Sequence, residues 1–149
     1  MKIISIKALW VLLISLFCLS SGVAIAADKP FVEKKVVLQI SDPSPFKQTL
    51  VLNVAGNLVK KYGPDKIDIE IVAFGPGLRL LQEGNVNTGR IDGLVDNGDV
   101  RFAACGNTID KFAKALGHKP ELHASATVVP GGVVRIMELI DEGFVLIKP

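Results

Sequence analysis

The sequence predicts an α/β protein: a three-layer α/β/α sandwich around a mainly parallel five-stranded sheet. Three observations carry this. Short apolar runs of strand length alternate with segments of helical periodicity in the order βαβαβαβαβ. The connections are short, which favours crossovers that return each strand parallel to the last. The first apolar run is near-continuous rather than alternating, the pattern of a strand covered on both faces.

The N-terminus reads as a segment apart from the fold. Lys2 and Lys7 precede an apolar run from Ala8 to Leu19, and Ala24-Ile25-Ala26 offers small residues at a cleavage site. Basic, apolar and small-residue regions in that order are a secretory signal peptide over residues 1–26, leaving one domain over 27–149. The run is about a dozen residues, short of the roughly 20 that span a bilayer, so the mature chain is expected not to be membrane-embedded. Cys18 follows Phe17, too bulky for a lipidation site, and reads as apolar filler of the leader. The expected location is periplasmic or secreted. Cleavage removes two lysines and no acid, so the formal charge of +2 falls to about zero. Without clustered Lys and Arg there is no footprint for nucleic acid.

The elements follow in order. Lys35–Ile40 is the first strand, and Ser41-Asp42-Pro43-Ser44-Pro45 breaks it, with Pro45 suited to a first helical turn. From Phe46 to Tyr62, Phe46, Leu50, Val54 and Leu58 form one apolar row, with Val51, Ala55, Val59 and Tyr62 beside it; Lys47 and Gln48 fall elsewhere. Gly63-Pro64 ends this helix. Ile67–Phe74 alternates and then turns wholly apolar, a strand entering the core from an exposed end. Gly75-Pro76-Gly77 stops it, and a short helix follows over Leu78–Glu83. The glycines lack the third member of a dinucleotide fingerprint and any following Gly-Lys-Ser/Thr, which excludes nucleotide binding on residues. Asn85–Gly89 reads as a loop that is mobile or shaped by a partner, before a short helix from Arg90 to Asn97 stopped by Gly98.

Val100–Thr108 is the stretch on which function centres. A short buried strand runs to Cys105, Gly106 permits a close backbone approach, and Asn107 or Thr108 is placed to cap the following helix. Ile109, Phe112, Ala113 and Leu116 face inward from that helix. Ala126–Val129 is a brief strand. Pro130-Gly131-Gly132 turns into a last helix with Val133, Ile136, Met137 and Ile140 inward and Arg135, Glu138, Asp141 and Glu142 outward. Phe144–Ile147 closes the sheet.

In open parallel sheets ligands bind beyond the carboxyl ends of the strands. That edge gathers Ser41-Asp42, Gly75-Pro76-Gly77, Cys105-Gly106-Asn107 and Pro130-Gly131. Cys105, the single cysteine once the leader is gone, supplies the strong nucleophile. At a helix N-terminus its thiolate is favoured over the thiol. The candidate site is therefore Cys105 as the reacting group, with Gly106, Asn107, Thr108, Asp42, Gly75, Gly77 and Pro130 as the binding rim. The competing reading is an inert cysteine buried at a strand end. Asp42 is as readily the cap of its own turn. His118 and His123 with one cysteine do not make a metal set, so no metal and no cofactor are expected. Arg79, Arg90 and Arg101 read as solvated charges, Arg101 with the option of facing a neighbouring subunit. No Ser–His–Asp order and no carboxylate pair is legible, against a conventional hydrolase.

Gly98-x-Val100-x-Phe102-x-x-Cys105-x-Asn107-Thr108, Val128-Val129-Pro130-Gly131-Gly132-Val133 and Glu142-Gly143-Phe144-x-x-Ile147-Lys148-Pro149 together resemble the DsrE-like family, in its small exported members, over roughly residues 35–149. The resemblance implies a flavodoxin-like sandwich that assembles into trimers or hexamers. It also implies that Cys105 accepts sulfane sulfur as a persulfide and relays it. The partners would be a small sulfur compound or a persulfide donor or acceptor protein, and the role that of a carrier rather than a turnover enzyme. A binding or assembly module with a structural cysteine, and a thiol-dependent sulfurtransferase or reductase, are the alternatives.

Overall fold

Apolar runs bounded by turn residues produce five strands: β1 (Lys34–Ile40), β2 (Ile67–Ala73), β3 (Arg101–Cys105), β4 (Ala126–Val129) and β5 (Val145–Ile147). They come from a computed structural model that describes residues 29–149; the leader read in residues 1–26 lies outside the described residues. The strands form one sheet in the order β4-β3-β2-β1-β5, every pairing parallel. Between them lie α1 (Pro45–Tyr62), a 3₁₀ segment (Gly75–Leu81), α2 (Thr88–Gly98), α3 (Gly106–Leu116) and α4 (Gly132–Asp141). The three-layer α/β class expected from the sequence is the observed one. No helix among the described residues is long and apolar enough to cross a membrane.

The winding explains the layers. From β1 to β4 each crossover steps one place in the same direction, and right-handed connections then place α1, α2 and α3 on one face. The return from β4 to β5 steps the other way, so α4 lies on the opposite face. Flavodoxin, with order 2-1-3-4-5, has its switch point between β1 and β3; here it falls between β3 and β4. The two cores follow suit. Leu38, Ile69, Ile71 and Phe102 pack under α1 to α3, whereas Val37, Val72 and Ala103 meet Ile136, Leu139 and Phe144 on the α4 side.

Several elements sit as the pattern predicts. Pro45 opens α1, and Gly63, with φ at 86°, closes it by donating its N–H to Val59. Other faces differ. The buried side of α1 is Gln48, Val51, Leu52 and Ala55, while Phe46 is 71% exposed. Gln48 goes inside because its amide is matched at both ends: Nε2 donates to the Pro43 carbonyl at 3.2 Å, and Oε1 accepts from Asn85 at 3.1 Å. Asn85 also donates to the Arg79 carbonyl and accepts from the Asn87 N–H. The Asn85–Gly89 loop is thus held by the chain itself. Leu116, expected inward, lies exposed at the end of α3.

Two corrections matter for the site. Glu70 was expected near the exposed entry of β2, yet it is 3% exposed. Its strand parity points it at the face that, among the described residues, α4 alone covers. There Arg135 meets it, with Nε to Oε1 at 2.7 Å and Nη2 to Oε2 at 2.8 Å. Accordingly α4 is turned from its expected orientation. Ile136 and Leu139 are buried and Arg135 is half-buried, while Val133, Met137 and Ile140 are exposed. At about 100° per residue, this is roughly a quarter turn from the face the apolar pattern favours. Arg135, expected outward, is thus turned in toward Glu70, a residue far away in sequence.

Candidate functional site at the end of the third strand

Cys105 is the last residue of β3 and the N-cap of α3, with φ −70° and ψ 114°. Strand runs directly into helix, so the expected capping by Asn107 or Thr108 does not occur. Both lie inside the first turn, and no side chain caps the helix. Cys105 pairs in register with Val129, across the β3/β4 switch point. Connections from these two adjacent strands leave to opposite faces, which brings the N-termini of α3 and α4 to the cysteine from two sides. This is the crevice in which open α/β sheets bind ligands.

The thiol is free and only 5% exposed. Burial pushes its pKa up, but the Thr108 hydroxyl and the N–H groups of Gly132, Thr108 and Asn107 outweigh that, holding it below the ordinary thiol value. These are neutral donors from both helices; they act as oriented dipoles, favouring the thiolate where it has little water.

The surrounding residues have distinct tasks. The Thr108 Oγ1 accepts from the Gly75 N–H at 2.9 Å, tying the end of β2 to the site. The Asn107 N–H also faces the Pro130 carbonyl, at 3.3 Å. Gly106 makes a close approach to the neighbouring strand: an added Cβ would lie 3.1 Å from the Val129 carbonyl oxygen, tighter than ordinary packing. Cys105, Gly106, Asn107, Thr108, Gly75 and Pro130 are therefore brought together as expected. Asp42 and Gly77 are not. Asp42 Oδ1 accepts from the Ser44 N–H at 2.8 Å, within its own turn. Gly77 is pressed on the end of β1, where an added Cβ would meet the Ile40 carbonyl oxygen at 2.4 Å.

Sequence reasoning missed three members. Gly132 supplies an N–H to the thiol, and Glu70 and Arg135 fasten its helix. A lone acid between Ile69 and Ile71 in an otherwise buried strand was the available signal. Glu70 stays charged: burial raises its pKa, but Arg135 and Arg101 together hold it below the carboxylate range. Arg101 is no freely solvated charge; it reaches Asp68 and Glu70 and lies over the Phe144 ring at 5.9 Å. Beside α4, Glu70, Arg101 and Arg135 line a cavity of about 270 Å³ with Ala103, Val129 and Gly131. Cys105 does not line it. Ala103, on the same strand face, and Val129, its register partner, do.

His123 is buried with Nδ1 accepting from the Ser125 N–H and Nε2 3.2 Å from Asp92. Among the described residues no cluster of three or more His, Cys, Asp or Glu side chains is placed to hold a metal ion.

Fold and site define a class: a parallel α/β sandwich with a buried, donor-surrounded cysteine at its topological switch point. No family model matches the chain, and no curated protein does. Among solved structures it is similar to the protein of unknown function MTH1491 from Methanobacterium thermoautotrophicum, with a TM-score of 0.69 and 29% identity. That match covers 78% of this chain and 100% of the other.

Proposed function

We propose that the protein is an exported, homo-oligomeric, DsrE-like carrier of sulfane sulfur, holding it as a persulfide on Cys105. The observation behind this reading is a single thiol placed at the end of β3 and the start of α3, in register with the strand that leads into α4; neutral groups of both helices lower its pKa. A thiolate is the attacking species in sulfur exchange. In loading, the Cys105 thiolate attacks the outer sulfur of a donor persulfide R–S–SH. The donor S–S bond breaks, a new S–S bond forms on Cys105, and the donor leaves as R–S⁻. Nothing is oxidised or reduced overall. Unloading is the same exchange onto an acceptor thiolate, so the protein carries sulfur between a small sulfur compound or donor protein and an acceptor without turnover of its own.

The limited exposure of Cys105 favours a second reading, a cysteine kept for packing in an assembly module. The test is intact mass after incubation with inorganic polysulfide. A gain of one or more sulfur atoms, reversed by a reducing thiol and lost in Cys105→Ala, supports the carrier. No adduct, with alkylation blocked until the protein is unfolded, leaves the packing role. Export is tested by N-terminal sequencing of the secreted product, expected to begin at Ala27.

A further inference from the structure

We propose that Glu70 and Arg135 are positioning residues for Cys105: their ion pair selects the rotation of α4, the helix that begins three residues beyond Val129, the register partner of Cys105. This rests on the reading of Cys105 as a reactive thiol.

Without the pair, α4 has only its apolar residues to orient it. Its apolar residues do not specify the observed orientation. Ile136 and Leu139 are inward, but Val133, Met137 and Ile140 form an equally continuous row that is left outside. Within a single chain, apolar burial alone leaves the helix a competing rotation about a quarter turn away. A well-packed apolar pair can match a buried ion pair in stability; what a buried ion pair adds in the best-attested cases is register. Here it joins β2 to α4 through two hydrogen bonds of 2.7 and 2.8 Å, a geometry that admits one rotation.

Arg135 lies one turn along the helix from Gly132, and its own N–H donates to the Gly131 carbonyl at 2.9 Å. The clamp is therefore one helical turn from the first free N–H groups of α4. Gly132 has no slack on its other side, since a Cβ there would lie 2.8 Å from Phe74 Cβ. The leading groups that act on the sulfur are all uncharged: Thr108 and the Asn107 N–H from α3, and Gly132 from α4. Glu70, Arg135 and Arg101 are not among them, and the link from their ion pair to Cys105 is the helix that Arg135 belongs to.

The experiment reads the pH midpoint of Cys105 alkylation by iodoacetamide, in the full chain carrying Cys18→Ser so that one thiol reports. Glu70→Gln and Arg135→Met are expected to move the midpoint up by about half a pH unit, slowing alkylation at pH 7 about threefold, the scale of one lost helix-terminus donor. Arg135→Lys, which keeps the charge but loses the second hydrogen bond, should recover part of the shift. Glu138→Gln, on the exposed side of the same arginine, should leave it unchanged. If Glu70→Gln fails to fold, the apolar double variant Glu70→Leu/Arg135→Met decides. It should fold and still show the raised midpoint. A wild-type midpoint well below 9 with unchanged midpoints in the folded clamp variants overturns the positioning role alone. A wild-type midpoint near 9 overturns the reactive-thiol reading with it.

Discussion

The hydroxyl of Thr108 accepts from the N–H of Gly75 at 2.9 Å, and the same side chain lowers the Cys105 pKa. Gly75 has φ at 52°, a left-handed conformation at the end of β2 that turns its N–H toward α3. One glycine thus holds a hydroxyl that favours the thiolate. Thr108→Val removes the donor while conserving shape. It should move Cys105 alkylation to higher pH and, by leaving the Gly75 N–H without its partner, lower stability by about 1–2 kcal/mol. Thr108→Ser should keep both. Alkylation rate against pH, with urea unfolding on the same samples, checks this; an unchanged pH curve in the valine variant removes Thr108 from the site.

The depressed thiol pKa makes stability depend on pH in a defined direction. Between the folded value and the unfolded value of about 9, the unfolded chain binds more protons, so stability rises with pH. The contribution is fully present above the unfolded value and is lost as pH falls through the folded one. Wild type should therefore gain stability relative to Cys105→Ala as pH rises toward 9. Melting temperatures of the two proteins at several pH values test it, and parallel curves would remove the thiolate from the folded state.

Most of this architecture was legible because local signals and tertiary outcome agree. Val36 to Ile40 is apolar on both faces and became an inner strand; Pro45 and Gly63 bound a helix where their backbone chemistry requires. Cys105 at a strand-to-helix turn was legible for the same reason. What escaped depends on partners distant in sequence. Glu70 looks like an exposed acid until Arg135 is known to reach it from α4. Gln48 looks outward until Asn85 supplies its hydrogen bond. Gly77 resembled a ligand loop, but its requirement is the Ile40 carbonyl beneath it. Periodicity reports which face a residue takes only when its energetics are apolar.

The ion pair predicts a contrast between two substitutions around Arg135. Arg135→Ala leaves the Glu70 carboxylate buried with Arg101 as its remaining guanidinium and should lower stability by about 3 kcal/mol. Glu138→Ala removes an exposed contact at 3.4 Å and should cost under about 1 kcal/mol. Because the folded Glu70 pKa lies below its ordinary 4.5, the pair's contribution is present above that value and is lost as pH falls through the folded one. The Arg135→Ala deficit should shrink accordingly in acid. Urea titrations from pH 3 to neutral measure both effects, and equal losses at Arg135 and Glu138 would contradict the buried geometry.

Gly77 offers a steric test separate from the site. The atom nearest an added Cβ is a backbone oxygen at 2.4 Å, which cannot rotate away. Gly77→Ala should therefore lower stability by about 2–3 kcal/mol, in the range of overpacked cores. At Gly89, where nothing lies within 4 Å, the same change should be tolerated. Thermal unfolding distinguishes them. Because Gly77 packs rather than binds, the Cys105 alkylation profile of a folded Gly77→Ala protein should match wild type.

The sheet face that carries α4 alone among the described residues supports the remaining prediction. One ten-residue helix covers the middle of that side, and its outer stripe, Val133, Met137 and Ile140, is 56%, 61% and 45% exposed. Leu146 of β5, on the same sheet face, is exposed as well. A contiguous apolar row on a helix that already satisfies its inner face is a feature of surfaces that meet a partner. In the proposed assembly the partner is another copy of this chain, and symmetric closure would place the same stripe on every protomer. Light scattering coupled to size exclusion should give a mass of three or six chains. Met137→Glu, which puts a charge at the centre of the stripe without touching Ile136, Leu139 or Arg135, should shift that mass toward the monomer while the melting of the isolated fold is retained. A wild-type chain that is monomeric at micromolar concentration would rule out this assembly. An oligomer indifferent to Met137→Glu would move the interface elsewhere, to the exposed edge of β4.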